Sequence, residues 1–439
     1  MLARMQAVTW QRALLAITVV GTAALVAAGR SIAPVFVILV TVVPFTAYAA
    51  LVLSLSKARL VSTRALIIAF AALMIFAVAL PPRSSRDLWA YLMYGRIVAQ
   101  HHASPYTHAP AEYPHDPIYP RVYQVFKNTK SVYGPAFTAV SAAGAAVCGS
   151  SQVCGRLFFQ LLEALAVLGA VLIVFRSTQS WAAAAFVGLN PMVIASIVNS
   201  AHNEGLIALL VLGAGVIARA RPGAAGLLVG LAMAIKINAG IALIALCIWL
   251  LIARGWRPAV TAAATAVAVL VPTYLAAGGR RVLGPLRTAS MSISHHSFWH
   301  ALLQGHSRSS IAHVGIAGTI ALAIVLALGR ARTGGPIPVF VAAFAAYIVT
   351  TPYILPWYTA TLIPLLALRL RSKTTWALFA YSALLFLVYP THASTHPGLA
   401  GHILSTMAVD VLPIVEIIII VALIVTAWRP RRQARAALR

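Results

Sequence analysis

The sequence contains few acidic residues. Only seven of its 439 residues are Asp or Glu, and charged residues of both signs make up 9% of the chain. An ordinary soluble protein carries about 25% charged residues, so this composition excludes a surface that faces mainly water. Apolar residues make up 61% of the chain. We therefore expect lipid to surround most of it.

The sequence also has few cysteines and no visible phosphate-binding motif. Cys148 and Cys154 flank a short connection and could form a disulfide if it lies outside the cell, but we expect free thiols at helix ends. No glycine-rich phosphate loop or βαβ pattern is visible. No repeat or low-complexity tract divides the chain, so we predict one domain over residues 1–439.

Long apolar runs recur along the chain. Runs long enough to cross a bilayer include 13–29, 33–55, 257–277, 311–329 and 403–427. The first has no cleavage site after it and is interpreted as a retained helix. With the shorter runs the count is roughly 13, which predicts an all-α, polytopic membrane protein with about 12–14 membrane segments.

The basic residues predict the orientation, because positively charged connections stay in the cytoplasm. The basic connections are 57–64, 219–221, 254–257, 330–332, 369–373 and the tail 429–439. The remaining loops then face outward: the main outer loop 83–130, the second outer loop 278–310, the segment start at 202 and the loops near 352 and 391. We expect a multi-pass plasma-membrane protein with its site on the outer, periplasmic side.

Two segments do not fit a simple series of crossings. Three apolar runs between the main outer loop and His202 would place this residue inside, so we expect one of 133–149, 157–175 and 181–199 to be re-entrant or short and buried. The interval 223–253 is interpreted as two short helices hinged near Lys236 and Asn238.

The formal net charge of +26 would suggest nucleic acid as a partner in a soluble protein. Here the cations cluster at segment ends, as membrane insertion and anionic lipids both favour, so nucleic acid is not expected.

Asp87 is the acid placed best for catalysis. It follows the third apolar run, where a carboxylate at the membrane surface can act as a general base. The alternative is that Asp87 only caps the helix beginning at Leu88. That helix has the pattern of an interfacial amphipathic helix, whose aromatic residues either anchor it or stack on sugars.

Polar residues gather at two further breaks in the apolar pattern. His202, Asn203 and Glu204 join two apolar runs, either as a ligand site or as a helix-to-helix hydrogen-bond network. Lys236 stands alone among apolar residues, where it should pair with an anion such as a lipid phosphate, or snorkel to the surface.

Histidine and aromatic residues of the outer loops complete the predicted substrate site. His295 and His296 could bind a phosphate, and a divalent metal is not favoured because adjacent histidines lack a metal-ligand spacing. Aromatic residues either stack on sugars or form the interfacial belt. The predicted substrate-binding residues are Tyr91, Tyr94, Arg96, Tyr106, Tyr133, His202, Asn203, Glu204, Lys236, His295, His296, Tyr353, Trp357 and Tyr358.

The ordered set of motifs resembles one family. DLWAYLMYGR, SPY, VYGPAF, LNP with HNEG, a lone Lys in a helix of small residues, and ILPWY follow one another over 84–364. The set resembles the polyprenol-phosphate-mannose-dependent mannosyltransferases of the C-type glycosyltransferase superfamily, especially the α-1,6-mannosyltransferases of lipomannan assembly. Each motif is short, and the specificity lies in their order.

The resemblance implies an enzyme that transfers mannose from a polyprenyl-phosphate donor to a glycolipid, lipoglycan or polysaccharide acceptor, with inversion, and that needs no cofactor. It implies that Asp87 is the base, that the motif 202–204 lies near the donor, and that Lys236, His295 and His296 lie by its phosphate. Lys236 and Arg96 would stabilise the leaving phosphate. The alternatives are arabinofuranosyl transfer from a similar donor and a lipid or sugar transporter.

Overall fold

The computed structural model describes residues 2–29, 33–303, 305–332, 334–389 and 398–428. Every regular element in these ranges is helical, as the composition predicts. The predicted basic tail 429–439 and the loop near 391 lie outside the described residues. One apolar core runs through the bundle and draws on helices from Leu14 to Ala427.

Twenty α-helices follow one another in the described ranges. The first ten are α1 (Leu2–Ala28), α2 (Pro34–Lys57), α3 (Thr63–Ala79), α4 (Asp87–Ala99), α5 (Gln124–Lys127), α6 (Pro135–Cys148), α7 (Gln152–Thr178), α8 (Trp181–Gly188), α9 (Glu204–Ile217) and α10 (Pro222–Ile235). The others are α11 (Gly240–Arg254), α12 (Trp256–Ala276), α13 (Arg280–Ala289), α14 (Phe298–Leu302), α15 (Arg308–Ala331), α16 (Pro336–Thr350), α17 (Ile363–Ala367), α18 (Lys373–Val388), α19 (Leu399–Thr406) and α20 (Leu412–Trp428).

The helices identify a polytopic membrane protein. Among the described residues, seven helical segments are long and apolar enough to cross a bilayer, the last being α19 and α20 joined through a π-helical turn. An eighth span results if α8 and the π-helix Val193–Asn199, which meet at an angle of 57°, are one broken crossing. Six shorter apolar helices of 10–17 residues lie among them.

Both irregular segments of the sequence are broken helices in the structure. The break between α8 and the π-helix falls at Leu189 and Asn190, and nearly the whole of this segment is buried in protein. Of the three runs, 181–199 is thus the one with the broken or re-entrant shape that protein must cover. The interval 223–253 is two helices, α10 and α11, separated by Lys236 and a short 3₁₀ turn, Ile237–Ala239, which confirms the prediction.

Small residues allow α10 and α12 to pack closely. A Cβ atom added to Gly226 would lie 2.1 Å from the Ala262 carbonyl oxygen, and one added to Gly230 would lie 2.7 Å from that of Ala266. These glycines are four residues apart and lie on one face of α10. Backbone-to-backbone approach of this kind is how helices associate in lipid, where no hydrophobic force drives them together.

The main outer loop lies between α3 and α6 and contains α4, α5 and two 3₁₀ turns. The prediction of an amphipathic α4 is wrong, because every residue from Leu88 to Ile97 is buried. Gly95 explains part of this burial: a Cβ atom there would lie 2.0 Å from the Ser141 carbonyl oxygen of α6. The helix is held between protein elements instead of lying on the membrane surface.

The prediction of free thiols at Cys148 and Cys154 is also wrong. The two residues form a disulfide, with their Cα atoms 5.3 Å apart. Gly149 explains the approach, because its φ of 55° reverses the chain directly after α6 and returns it to the start of α7. The remaining cysteine, Cys247, is free.

Replacing Gly226 with valine should destabilise the bundle. The added side chain would collide with the backbone of α12, and overpacking of this kind costs about 1–3 kcal/mol. The measurement is thermal unfolding in detergent micelles, with Gly335→Ala as the control because no atom lies within 4 Å of a Cβ atom at that position. Equal unfolding temperatures for both variants would contradict the close approach of α10 and α12.

Candidate active site

Four breaks between helices meet at one place in the bundle. Asp87 begins α4, the turn 200–203 precedes Glu204 at the start of α9, Lys236 separates α10 from α11, and a 3₁₀ turn, Pro356–Thr361, follows α16. At each break, polar residues interrupt the apolar helices. Their meeting produces a polar site within a mostly apolar bundle.

The Asp87 carboxylate faces this site. Its Oδ1 accepts a hydrogen bond of 2.6 Å from the Ser85 hydroxyl, and its Oδ2 lies 3.7 Å from His202 Nδ1. The N-cap of α4 is Arg86, whose side chain makes no capping bond, and the backbone N–H of Asp87 donates to the Ser85 hydroxyl at 3.2 Å. The capping role is therefore not observed.

The environment of Asp87 favours its protonated form more than water does. Its side chain is 15% exposed. Burial raises the pKa of Asp87 to about 6, the Ser85 hydroxyl opposes this rise, and the charges of Glu204 and Lys236 act in opposite directions. A carboxyl group with a pKa closer to neutrality is a better proton acceptor than an ordinary Asp, and it is still ionised at pH 7.

Lys236 and Glu204 form an ion pair next to Asp87. The Lys236 Nζ lies 2.5 Å from Glu204 Oε1 and 4.1 Å from the ring centroid of Tyr358. The lysine side chain is 15% exposed and that of Glu204 is 3% exposed. Lys236 pairs with an anion, as predicted, but this anion is Glu204 of the same chain, and the contact with a lipid phosphate stays a prediction. Snorkelling does not describe the lysine. The Tyr358 ring adds a cation–π contact on the same ammonium group.

His202 lies between Asp87 and an aromatic wall. Its ring stacks on that of Trp357 with centroids 3.8 Å apart and planes 13° from parallel. Trp357 is buried, whereas Tyr353 is 39% exposed and interacts electrostatically with Asp87 and Lys236. These aromatic residues therefore line the polar site, and a lipid-facing belt does not describe Trp357.

Asn203 adds hydrogen-bonding capacity that the protein itself does not use. Its side chain is fully buried, and neither of its polar atoms has a hydrogen-bond partner in the described part of the chain. The Oε2 atom of Glu204 is in the same situation. Buried polar atoms are nearly always paired, so these atoms are suited to bind substrate hydroxyls or water.

Two buried tyrosines lie near Asp87 inside the bundle. The rings of Tyr91 and Tyr133 contact edge to face, with centroids 4.8 Å apart, and both residues are buried. Burial raises the pKa of both hydroxyl groups, and the nearby charge of Asp87 raises it further.

Two other predicted tyrosines hold the outer loop in place. The Tyr94 hydroxyl donates to the Thr129 carbonyl oxygen at 2.7 Å, and the Tyr106 hydroxyl donates to that of Tyr133 at 3.1 Å. The Tyr106 hydroxyl also contacts the Thr138 hydroxyl of α6 at 2.8 Å. The hydroxyl groups of Tyr94 and Tyr106 thus hold the outer loop in position.

The expectation that Arg96 stabilises the leaving phosphate does not agree with its contacts. Its Nε lies 2.8 Å from both carboxylate oxygens of Asp116, and Nη1 donates to the Gly149 carbonyl oxygen. His101 contacts the same carboxylate at 2.8 Å. Although burial opposes the change, the hydrogen bonds from the Ile118 N–H, His101 and Arg96 lower the pKa of Asp116. Arg96 therefore connects the outer loop to the turn between Cys148 and Cys154.

The segment containing His295 and His296 is tied to the loop that precedes Trp357. The Ser294 N–H donates to the Pro352 carbonyl oxygen at 2.9 Å, and the Ser294 hydroxyl accepts from the Ile354 N–H at 3.1 Å. His295 is exposed and contacts the His300 ring. Both histidines therefore lie at the same end of the bundle as Trp357. In the described ranges no three His, Cys, Asp or Glu side chains form a metal-binding group.

Glu163 was not predicted as part of the site. It lies within α7, is 1% exposed, and its Oε2 accepts a hydrogen bond of 3.2 Å from the Leu206 N–H at the start of α9. A Cβ atom at Gly205 would lie 2.2 Å from the same oxygen. Glu163 thus caps the helix that carries Glu204. The signal was an acid in the middle of an apolar run, where an ionisable residue seldom lacks a role.

Two family models match long parts of this chain. The model described as α-(1→6)-mannopyranosyltransferase, N-terminal domain, matches residues 3–254. The model of glycosyltransferase family 87 matches residues 131–390. Together they include Asp87, Glu204, Lys236 and Trp357.

Two curated proteins are similar to parts of the chain. The α-(1→6)-mannopyranosyltransferase A of Mycobacterium tuberculosis is 30% identical over 206 residues, which are 43% of this chain and 39% of that protein. The protein of the same name from Corynebacterium glutamicum is 29% identical over 168 residues, which are 37% of this chain and 34% of that protein. The matched part is thus well under half the length of each relative.

Replacing Glu163 with leucine should loosen the start of α9. The Leu206 N–H would lose its acceptor, and an unpaired buried polar group costs about 1–3 kcal/mol. Amide hydrogen exchange of peptides covering 204–208 should therefore become faster. Glu163→Gln is the matched control, because its amide oxygen can still accept the bond. Unchanged exchange in the leucine variant would show that Glu163 does not cap α9.

Proposed function

Because the chain belongs to the α-(1→6)-mannopyranosyltransferase family and to glycosyltransferase family 87, we propose that it transfers a mannosyl residue from a polyprenyl-phosphate donor to a glycolipid or lipoglycan acceptor. The reaction takes place at the outer face of the plasma membrane. The observation that carries the proposal is the placement of two carboxylates, one lysine and several aromatic rings in a single buried polar site.

Asp87 acts as the general base in this proposal. It accepts the proton of an acceptor hydroxyl group while the hydroxyl oxygen attacks the anomeric carbon of the donor sugar. The bond between that carbon and the phosphate oxygen breaks, and the phosphate leaves with the electron pair. Ser85 holds the carboxylate in position through its 2.6 Å hydrogen bond.

Lys236 stabilises the leaving phosphate. Its ammonium group has three N–H donors, and the contact with Glu204 uses one of them. The other donors can reach a phosphate oxygen that enters beside the Tyr358 ring. A fixed positive charge in a site with little water stabilises developing negative charge more strongly than it would in solution.

The positions of the carboxylates favour inversion in a single displacement. A double displacement needs a second carboxylate as the nucleophile, as in retaining glycosidases. Glu204, the second carboxylate of the site, holds Lys236 through Oε1 at 2.5 Å, so in this proposal it lies at the leaving phosphate instead of acting as the nucleophile. A β-linked donor would therefore yield an α-mannoside. The proposed mechanism requires neither a nucleotide nor a metal ion.

Replacing Asp87 with asparagine should abolish most of the transfer. The amide cannot take up the proton, and the loss of a general base lowers kcat by roughly 10²–10⁴-fold. The assay follows mannose transfer from mannosyl-phosphopolyprenol to a mannoside acceptor by the purified full chain. Glu112→Gln is the matched control, because it changes an acid to its amide in the same outer loop on a side chain that is 48% exposed. Full activity in the asparagine variant would disprove the role of Asp87.

Transfer should lose activity as the pH falls through about 6. The pKa of Asp87 is raised to about 6, so the ionised base is present above that pH and disappears below it. The value of kcat/KM should fall tenfold per pH unit on the acid side. Ser85→Ala should move this limb to a higher pH, because the Ser85 hydroxyl lowers the pKa. A limb near pH 4, the value of an exposed Asp, would show that the titrating group is not the buried Asp87.

A further inference from the structure

The helix α13 separates its residues into a basic face and an apolar face. Val282, Leu286 and Ala289 are four and three residues apart and lie on one side of the helix. Val282 is fully buried in the protein. The opposite side carries Arg280 and Arg287, and Arg281 extends this basic face.

The three arginines of α13 are not neutralised by the protein. All three are exposed. None of the salt bridges in the described part of the chain involves them. The acids near the outer loops are committed elsewhere, since Asp116 is paired with Arg96 and Glu204 with Lys236. The basic face of α13 therefore has charge that an external anion can balance.

The preceding helix places α13 at the edge of the lipid. Only three residues of α12, Ala259, Ala262 and Ala266, are buried, so most of this span faces the surroundings of the bundle. Gly278 and Gly279, with φ of 111° and 58°, then turn the chain into α13. A basic amphipathic helix directly after a lipid-facing span lies at the depth of the lipid headgroups.

The same end of the bundle contains the candidate active site. Ser294, five residues after α13, is hydrogen-bonded to Pro352 and Ile354. Trp357, three residues after Ile354, stacks on His202 beside Asp87. The basic connection at Arg254 and Arg257 lies at the other end of α12. The arginines of α13 thus lie at the same end of the bundle as the candidate active site.

We propose that the basic face of α13 binds the phosphate groups of anionic phospholipids in the leaflet at the active-site end of the bundle. The arginines supply planar donors that match phosphate oxygens. Leu283, which is 51% exposed beside them, contacts the acyl region. Because an apolar side chain and an apolar span adjoin the arginines, a lipid phosphate fits this surface better than a phosphate ion in water. The proposal does not depend on the sugar-transfer reaction.

Photocrosslinking of the full chain in nanodiscs tests the proposal. The probes are photoactivatable phosphatidylglycerol, which is anionic, and photoactivatable phosphatidylcholine, which is zwitterionic. The readout is the amount of lipid attached to peptides from 278–303. We expect the anionic probe to label this region roughly tenfold more than the zwitterionic one, since each arginine contributes to attraction at the membrane surface.

Three variants separate charge from folding. Replacement of Arg280, Arg281 and Arg287 with glutamine should reduce anionic labelling to the level of the zwitterionic probe, and replacement with lysine should retain most of it. Replacement of Arg219, Arg221 and Arg257 with glutamine is the matched control, because it removes three exposed arginines at the other end of the bundle. That variant should keep wild-type labelling at 278–303.

Two results would overturn the proposal. One is wild-type anionic labelling in the glutamine variant of α13, with an unfolding temperature equal to that of the control. The other is loss of the anionic labelling in the presence of excess inorganic phosphate, which would assign the surface to free anions instead of lipid. Labelling that persists in the presence of phosphate supports the lipid headgroup.

Discussion

The buried ion pair between Lys236 and Glu204 is the interaction on which the candidate site depends. Lys236 lies at the break between α10 and α11, and Glu204 begins α9. Their contact at 2.5 Å therefore joins two interrupted regions of the bundle. Removing one partner of a buried pair leaves the other charge without compensation, which typically costs 3–5 kcal/mol. The pair thus fixes the place where polar chemistry can occur.

The surroundings of this pair explain the arrangement of the other elements. Glu163 caps α9 and so orients Glu204, while Tyr358 lies over the ammonium group of Lys236. Asp87 reaches the same place because α4, within the outer loop, is buried against α6. That loop is fastened by the contacts of Arg96 with Asp116 and with the turn closed by the Cys148–Cys154 disulfide. A disulfide is compatible with an oxidising compartment, as the proposed outer position requires.

The two ends of α12 lie at opposite ends of the bundle and adjoin different surfaces. One end carries the exposed arginines near Trp256, and the other leads through two glycines into the basic helix α13. The proposed lipid-linked donor would enter from the bilayer, and the proposed binding of anions by α13 would raise the local concentration of anionic lipids beside the site. The structure thus connects a lipid-facing surface to the polar site through Ser294 and Trp357.

The sequence by itself determined the membrane character, the helix breaks and most of the residues near the site. It could do so because a charged or polar residue inside an apolar run is a local signal, as at Asp87, His202, Glu204 and Lys236. Only the tertiary structure decided which of these residues meet. It paired Lys236 with Glu204, committed Arg96 to Asp116, joined Cys148 to Cys154 and brought in Glu163. These contacts depend on which helix faces are neighbours, and no pattern within a single segment specifies that.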